Sequence, residues 1–249
     1  MPLLTAVIIT LNEERNIKRC LDSIKEVADE VVVVDSGSTD QTKQICETAG
    51  VRFIYKAWEG YAAARNFGAE HSSNDWIVAL DADEAFSEEL KSSVLELKKS
   101  GRAVYATFKR LTNYCGHWVK HCGWYPDIKL RFYDRKKSTF TGIIHETLSP
   151  VHDPVTLLNG DLLHYSYYNI SDHVAQYNKF TTLTAEDAFA KGKRSSMIKI
   201  IANPPLKFFK SYFLQLGFLD GYYGLIICKM SAHATFLKYC KLYILGKRS

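Results

Sequence analysis

Three of the four residues in Asp81-Ala82-Asp83-Glu84 are acidic, and they follow the apolar run Trp76 to Leu80. Carboxylates this close together repel one another, and a bound cation relieves the repulsion. Mg²⁺ and Mn²⁺ prefer such oxygen ligands, and a metal held by one or two carboxylates usually also binds substrate phosphates. The pattern therefore predicts a Mg²⁺ or Mn²⁺ site. A solvated acidic turn is the alternative interpretation.

A second acidic residue, Asp35, ends the apolar run Glu30 to Asp35 (EVVVVD). It directly precedes the turn Ser36 to Asp40. A carboxylate at a strand end, followed by small residues that lead into a helix, can place itself and backbone N–H groups at a nucleotide. An ordinary turn with Thr39 as the helix cap explains the same residues.

Strand-like and helix-like segments alternate through the first hundred residues. The strand-like runs are Thr5–Thr10, Glu30–Asp35, Val51–Tyr55 and Trp76–Leu80. Nearly continuous apolar strands separated by helices predict an α/β fold with a mostly parallel central sheet, flanked by helices on both faces. Ligands of such sheets bind at the carboxyl ends of the strands. Asn12-Glu13, Asp35 and Asp81 to Asp83 should therefore meet at one crevice.

The pattern changes after residue 101. Half-buried strands are predicted at Ala103–Lys109, Lys129–Tyr133 and Asp161–Tyr165, and Ser171 should cap a helix that reaches about Lys191. The N-terminal apolar stretch is short and has no basic residues before it, which does not fit a signal peptide. The six scattered cysteines are therefore expected to be free thiols in a reducing compartment.

The segment 193–249 is basic and aromatic. It contains ten Lys and Arg residues and one acid, Asp220, so its charge is about +9 in a chain whose net charge is +5. Lysines interleave with aromatic residues over 204–248, which predicts helices that lie in the headgroup layer of an anionic membrane. Core packing or an oligomer contact is an alternative. A membrane span is a weaker alternative, because the apolar part of the segment, Ser211 to Cys228, contains Gln215 and three glycines.

Four motifs, IITLNEE, VVVVDSGSTDQT, AAARNFGAE and WIVALDADE, occur in this order in the first hundred residues. They resemble the nucleotide-sugar domain of family 2 glycosyltransferases, which have the GT-A fold. The later segments GWYPDIKLRFY, TGIIHE and LLHYSYYN are similar to the bacterial lipopolysaccharide-core glucosyltransferases. The resemblance implies a GT-A domain over 1–192, with a nucleotide-sugar half (1–100) and an acceptor and metal half (101–192). The basic, aromatic composition predicts that a helical membrane-associating tail (193–249) follows it.

The resemblance also implies roles for single residues. Those expected to bind the nucleotide are Thr10, Glu13, Asp35, Arg65 and Asp81. Asp83 would bind the metal, and His164 in LLHYSYY would complete the metal site. A packed strand histidine that bonds to backbone is the alternative for His164.

Sugar transfer to an alcohol needs a base at the acceptor oxygen and relief of the charge on the leaving diphosphate. The metal, acting as a Lewis acid, would relieve the charge on the leaving diphosphate. Glu146 in the segment Gly142 to Glu146 is the favoured base, Asp127 is its rival and Glu84 comes third. An exposed glutamate at a strand end is the alternative interpretation of Glu146.

The acceptor side is predicted from aromatic, acidic and basic residues. Flat aromatic faces can cover the C–H side of a sugar. Trp124 and Tyr125 are candidates for this, and simple core packing is their alternative. The other residues expected at the acceptor are Glu84, His145 and Arg131, of which Arg131 could bind phosphate or lie on a solvated strand face. Cys115, His117, His121 and Cys122 match no common zinc spacing.

The sequence thus predicts an inverting, metal-dependent glycosyltransferase, with inversion implied by the resemblance. It would move a sugar, glucose being favoured, from a UDP-sugar to a lipid-linked saccharide such as the lipopolysaccharide inner core. The expected location is cytoplasmic, peripheral on the inner face of the bacterial cytoplasmic membrane, without a nucleic-acid partner. One alternative is transfer to another envelope polysaccharide or glycolipid. A nucleotidyltransferase is disfavoured because Thr10 to Glu14 is acidic and glycine-free, and a non-catalytic membrane or nucleic-acid-binding protein would leave the acidic motifs unexplained.

Overall fold

The computed structural model describes residues 3–101, 105–142, 146–151 and 154–248. The chain divides into two compact units. Unit 1 consists of Met1–Arg110 and Asp127–Tyr165, and unit 2 consists of Leu111–Pro126 and Ser166–Ser249. The predicted boundary after residue 192 falls inside unit 2, between two of its helices, and does not separate the units.

Strands and helices follow one another along the chain. In order they are β1 (Leu4–Thr10), α1 (Ile17–Ile24), β2 (Glu30–Asp35), α2 (Thr42–Thr48), β3 (Arg52–Tyr55), α3 (Tyr61–Glu70), β4 (Trp76–Asp81), β5 (Glu84–Phe86), α4 (Glu88–Ser100), β6 (Tyr105–Tyr114), β7 (His117–Val119), β8 (Asp127–Asp134), β9 (Thr139–Thr141), β10 (Thr147–Ser149), β11 (Val155–Tyr167), α5 (Ile170–Ala190), α6 (Met197–Phe209) and α7 (Gly221–Arg248). A π-helical turn (Lys210–Leu214) and a 3₁₀ turn (Gly217–Asp220) lie between α6 and α7.

The first four strands of unit 1 form the predicted parallel sheet. Their spatial order is β3-β2-β1-β4, and each neighbouring pair is parallel. Every residue of β1 is buried, and β2 is buried from Val32 onward. Strands buried on both faces need apolar residues at every position, which explains why these two runs do not alternate with polar residues.

Further strands extend this sheet beyond β4, whereas β9 and β10 pair with each other in a separate two-stranded sheet. The order continues β8-β6-β11-β5, and β8 is antiparallel to both β4 and β6 while β5 is antiparallel to β11. The predicted α/β class is confirmed, and β3, β2, β1 and β4 form its continuous parallel part. The predicted strands after residue 101 correspond to β6, β8 and β11.

Two apolar clusters cover the two faces of the parallel strands. Successive residues of β1 belong to different clusters: Ile8 packs with α1 and α4, whereas Val7 packs with residues of α3. Gly68 lies where α3 approaches the sheet, and a Cβ atom there would overlap the side chains of Val7 and Val34. The glycine of the motif AAARNFGAE therefore permits close packing of the helix on the sheet.

The helix α4 has typical capping residues at both ends, whereas other helices begin at residues other than those expected. Ser87 caps α4, since its Oγ accepts a hydrogen bond from the Leu90 N–H at 3.2 Å, and Gly101 ends it in the left-handed conformation. By contrast, α2 begins only at Thr42, so Thr39, which the turn offered as its cap, lies in the preceding loop. The helix α5 is capped by Asn169, two residues before the expected Ser171.

Unit 2 is built around the helices α5, α6 and α7 and the segment 111–126. Its apolar cluster contains Tyr114, Val119, Cys122, Ile227 and Cys228. All six cysteines of the chain are free, as expected. In the part of the chain that the structure describes, no helix has both the length and the apolar composition required to cross a membrane.

Asp220 accounts for the histidines that might have suggested zinc. Its carboxylate is buried and accepts hydrogen bonds from the His121 N–H at 2.8 Å and the Lys120 N–H at 3.3 Å. The rings of His117 and His121 lie 3.4 and 3.2 Å from Asp220 Oδ1. Although burial would raise the pKa of Asp220, these hydrogen bonds lower it below its ordinary value. Asp220 thus joins the segment around His121 to the start of α7.

Candidate active site

The acidic strand ends of unit 1 lie side by side, as the alternation of elements predicts. In the register of the sheet, Thr10 at the end of β1 is paired with Asp35 of β2. On the other side of β1, Ile9 is paired with Asp81 of β4. Glu13 follows β1 by three residues, so acids from three separated segments meet at the carboxyl edge of the parallel strands.

Hydrogen bonds join the loop after β1 to the loop after β2. Ser38 Oγ accepts from the Asn12 N–H at 2.8 Å, and Asn12 Oδ1 accepts from the Thr39 N–H at 2.8 Å. The Glu13 N–H donates to Thr42 Oγ1 at 2.8 Å. Asn12 adopts the left-handed conformation, with φ of 55°, which asparagine tolerates better than most residues. We call residues 11–16 and 36–42 the joined loops.

Asp35 directs its carboxylate into its own turn. Oδ2 accepts from the N–H groups of Gly37 and Ser38 at 2.8 and 2.9 Å, and Oδ1 accepts from Ser38 Oγ at 2.5 Å. Its predicted contact with the nucleotide stays a prediction, because these bonds leave little of the buried carboxylate for another donor. Thr10 Oγ1 is buried and has no hydrogen-bond partner among the described residues, and the predicted contact of Thr10 with the nucleotide stays a prediction.

Glu13 has an unusual proton affinity. Burial and the nearby charge of Asp83 raise its pKa to about 7, and its Oε2 accepts a hydrogen bond from Asn16 Nδ2 at 2.8 Å. Asp40 and Asp81 raise it further. A cation or hydrogen-bond donor brought into this acidic surrounding would lower the pKa again, which is a property of ligand sites.

Asp83 and His164 form the pair that the sequence assigns to a metal. His164 Nε2 lies 3.2 Å from Asp83 Oδ2. The pairing depends on the sheet: β11 runs antiparallel to β5, which sets His164 opposite Glu84, one residue from Asp83. Burial would lower the pKa of His164, but the Asp83 carboxylate outweighs burial and raises it.

A chain of alternating charges runs beside this pair. Its members, in order of contact, are Glu146, Arg65, Asp81, Arg131, Glu84, Arg110, Asp127 and Lys129. We call these eight residues the charge chain. Four carboxylates alternate with four cations, so each member is paired with charges of opposite sign, as buried charges require.

Arg65 and Arg131 are the buried cations at the centre of the charge chain. Arg65 is fully buried and donates to Asp81 Oδ1 and to Glu146 Oε1. Arg131 Nη2 lies 3.3 Å from Asp81 Oδ2 and 3.4 Å from Glu84 Oε1. Burial would raise the pKa of Asp81, but the two guanidinium groups hold it well below its usual range.

These positions change the predicted roles of three residues. Arg65 was expected to contact the nucleotide, but it is enclosed between two carboxylates and has no exposed surface to offer. Arg131 and Glu84 were expected at the acceptor, and both are buried as well. All three are better suited to hold neighbouring groups in place, because a buried ion pair fixes both partners at the cost of their access to ligands.

The three candidate bases differ in exposure. The side chain of Glu146 is 19% exposed and bonded to Arg65. That of Asp127 is 33% exposed and lies 2.7 Å from Arg110 Nη2 and 3.1 Å from Lys129 Nζ. The Glu84 side chain is fully buried, so it cannot meet an acceptor hydroxyl in this arrangement. Glu146 and Asp127 therefore remain the two candidates.

The other residues predicted at the acceptor are not members of the charge chain. Trp124 and Tyr125 belong to unit 2. Trp124 packs edge-on against Tyr114 and His173, with ring centroids 6.0 Å apart in each pair, which agrees with the core-packing alternative. His145 lies outside the described residues.

One residue that organises the site, Arg110, was not predicted. Arg110 bonds Asp127 and approaches Glu84 because the β6–β8 register pairs Arg110 with Asp127. The register of an antiparallel pair depends on the intervening turn, so this contact could not be found from residue types alone. Asn12, which was expected at the crevice, links the joined loops.

Comparison with known proteins supports the same interpretation of the fold. Residues 5–151 match the family described as Glycosyl transferase family 2. An uncharacterized glycosyltransferase of Rickettsia typhi is 32% identical, over 100% of this chain and 89% of its own length. The lipopolysaccharide core biosynthesis glycosyltransferase LpsC of Rhizobium meliloti is 32% identical, over 96% of this chain and 92% of its own length.

One solved structure is similar to less than half of this chain. Glucosyl-3-phosphoglycerate synthase from Mycobacterium tuberculosis, crystallised with Mn²⁺, UDP and glucosyl-3-phosphoglycerate, is 24% identical over 45% of this chain and 44% of that chain, with a TM-score of 0.38.

The mixed sheet, with acids at the ends of its parallel strands and a helical C-terminal region, defines a GT-A glycosyltransferase fold. The match over more than half of the chain, together with the full-length relatives, shows that the chain belongs to glycosyl transferase family 2. It is therefore an enzyme that transfers sugars.

Proposed function

We propose that the protein transfers glucose from UDP-glucose, with inversion, to a lipid-linked saccharide of the lipopolysaccharide inner core. The similarity to LpsC, a lipopolysaccharide core biosynthesis glycosyltransferase, over nearly the whole of both chains supports the acceptor class. The observation that carries the donor and metal assignment is the Asp83–His164 pair beside Glu13, at the carboxyl edge of the parallel strands.

Asp83 and His164 fit a divalent metal that is shared with the substrate. In the ranges that the structure describes, no group of three or more His, Cys, Asp and Glu side chains is arranged to hold a metal ion. Two protein ligands suit Mg²⁺ or Mn²⁺ when diphosphate oxygens and water complete the coordination. When bound, the metal would neutralise charge on the leaving diphosphate.

The residues of the joined loops would bind the nucleotide. Glu13 supplies a carboxyl group that can hydrogen-bond a nucleoside in either protonation state, and Thr10 at the end of β1 would lie next to it. We assign Asp35 and Asp81 to the walls of this site. Asp81 is kept ionised by Arg65 and Arg131.

We assign the catalytic base to Glu146. Its carboxylate takes the proton of the acceptor hydroxyl while the acceptor oxygen attacks the anomeric carbon. The bond from that carbon to the diphosphate oxygen breaks, and UDP leaves with the bonding electrons. Arg65 holds one oxygen of Glu146, which fixes the carboxylate in one orientation for this proton transfer.

The proposal includes a peripheral position on the cytoplasmic face of the bacterial membrane. A lipid-linked acceptor is confined to a membrane, and the basic segment 193–249 carries about +9. An anionic lipid surface attracts such a segment by roughly 1 kcal/mol per basic residue that lies close to it.

A thermal-shift experiment with UDP and Mn²⁺ tests the donor site. UDP at about a hundred times its dissociation constant should stabilise the wild type by roughly 2.7 kcal/mol. That corresponds to a rise in Tm of about 5–10 °C for a chain of this size. Asp83→Ala should lose the metal-dependent part of this rise, and chelation of the metal should have the same effect on the wild type.

Asp22→Ala is the matched control, since Asp22 is an exposed acid on α1 paired only with Lys18 in the i, i+4 position. It should keep the full response to UDP and Mn²⁺. If UDP fails to stabilise the wild type with or without metal, the assignment of a UDP-sugar donor is wrong. If UDP and Mn²⁺ stabilise Asp83→Ala as much as the wild type, the donor assignment is retained and the assignment of Asp83 to the metal is wrong.

A further inference from the structure

Large apolar side chains of unit 2 are unusually exposed between residues 197 and 222. Ile198 is 78% exposed and Ile201 is 68% exposed. Other members of this group are Leu206, Phe209, Leu214 and Tyr222. Scattered exposed apolar residues are normal on a protein surface, but a continuous group of large ones marks an interaction site.

The exposed residues of α6 share one face of the helix. Ile198, Ile201, Pro205 and Phe209 follow one another at spacings of three and four, which places them in one row. The single buried residue of α6 is Ile200. A surface helix normally turns its apolar stripe toward the core, so α6 has the reverse arrangement and presents its stripe to the surroundings.

The two turns after α6 continue the exposed group. Phe213 and Leu214 belong to the π-helical turn, and Phe218 and Leu219 belong to the 3₁₀ turn. We call the exposed apolar residues of 197–222 the docking face. It begins before the region 204–248 that the sequence indicates for membrane contact and ends soon after α7 begins.

Most of α7 does not belong to the docking face. Its residues Ile227, Cys228 and Leu242 are buried in unit 2, and after Tyr222 the large exposed apolar residues are Phe236 and Ile244. The α7 part of the lysine–aromatic region therefore contributes little to the docking face.

The charges around the docking face are basic. Lys199 and Lys210 are exposed on α6 and at the start of the π-helical turn, and Lys193 and Arg194 precede α6. The one acid of the segment, Asp220, is buried and bonded to residues 117–122. Two copies of this face would bring like charges together, whereas a layer of anionic headgroups would neutralise them.

We propose that the docking face inserts into the headgroup layer of an anionic phospholipid bilayer, with the row Ile198, Ile201, Pro205 and Phe209 reaching the acyl chains. Apolar insertion supplies one part of the affinity and the flanking lysines supply the other. The inference deepens the proposed function, because it names the surface that holds the enzyme at a lipid-linked acceptor, but it does not depend on the sugar donor.

Vesicle co-sedimentation of the full-length protein tests the docking face. Vesicles of phosphatidylcholine with about one third phosphatidylglycerol provide the anionic surface, at an ionic strength where surface charges still act over about 10 Å. The wild type should bind these vesicles, and Ile198→Glu/Ile201→Glu should bind at least tenfold more weakly. Lys199→Glu/Lys210→Glu should lose the preference for phosphatidylglycerol over pure phosphatidylcholine.

Val155→Glu/Leu157→Glu is the matched control, because it also replaces two half-exposed aliphatic residues, in unit 1. It should sediment as the wild type does. Equal binding by the wild type and Ile198→Glu/Ile201→Glu would overturn the proposal. So would sedimentation-velocity data showing a dimer that this variant dissociates, with no binding of the wild type to vesicles. The UDP-dependent thermal shift, measured on the same variants, should be unchanged, which separates failure of the docking face from failure of the donor site.

Discussion

Arg65 provides the sharpest test of how the site is held together. Its guanidinium is fully buried and bonds both Asp81 and Glu146. Arg65→Met keeps a long unbranched side chain but leaves Glu146 without this partner and Asp81 with Arg131 at 3.3 Å. Removing one partner of a buried ion pair costs about 3–5 kcal/mol. For a chain of this size, Tm should fall by roughly 6–20 °C.

The effect on catalysis should exceed the effect on folding alone. If Glu146 is the base and Arg65 orients it, Arg65→Met at a temperature where it is folded should lower kcat by about as much as Glu146→Gln. That loss is roughly 10²–10⁴ for a general base. Arg65→Lys keeps the charge, but its single ammonium group cannot match the forked geometry, so it should fold better and still turn over slowly.

Arg131→Met is the matched control for Arg65→Met. It removes a second buried guanidinium that also bonds Asp81, but its other partner is Glu84 and the Arg65–Glu146 contact stays intact. It should be destabilised to a similar degree and retain most of its kcat. Equal losses of kcat in the two variants, or an unchanged Tm in Arg65→Met, would refute the assignment of Arg65 as the residue that positions Glu146.

Two further predictions concern stability. Burial lowers the pKa of His173 from 6.5 to about 4, so the unfolded chain binds the proton first as pH falls, and the contribution of His173 to wild-type stability should fall by about 2.5 kcal/mol between pH 7.5 and 4.5. His173→Phe, which cannot titrate, should lack this loss in denaturant titrations at both pH values, although it also loses the bond to Tyr114. Gly160→Ala should unfold about 1–3 kcal/mol more easily than Gly50→Ala. Both positions have positive φ, but only at Gly160 would the new Cβ meet backbone atoms of Leu90, and a smaller difference in urea midpoints would contradict this.

The parallel half of the fold could be predicted because local pattern and long-range packing agree there. The runs that became β1, β2 and β4 are apolar at nearly every position, which is what burial on both faces requires. The rule that ligands bind at carboxyl strand ends then brought Glu13, Asp35 and Asp81 together correctly. The positions of these acids required no knowledge of distant contacts.

The roles of Arg65, Arg131 and Glu84 could not be predicted in the same way. Whether Arg131 faces a ligand or a buried carboxylate depends on the register of β8 with β4 and β6, and antiparallel register is fixed by turns and cross-strand pairs that residue types do not reveal. The partners of Arg65 depend on how α3 packs beside the end of β4. The tail is a similar case. Its composition indicated a membrane surface, but which lysines and aromatics are exposed depends on how α7 packs in unit 2.

The joined loops have a consequence for the energetics of nucleotide recognition. Asn12, Ser38 and Thr39 fix the two loops to each other through side-chain and backbone hydrogen bonds that need no bound ligand. Ordering a flexible loop on binding costs about 1–2 kcal/mol of conformational entropy per residue. Because these residues are already ordered in the free enzyme, the nucleotide side of the site is preorganised, and donor association should proceed with little loss of chain entropy.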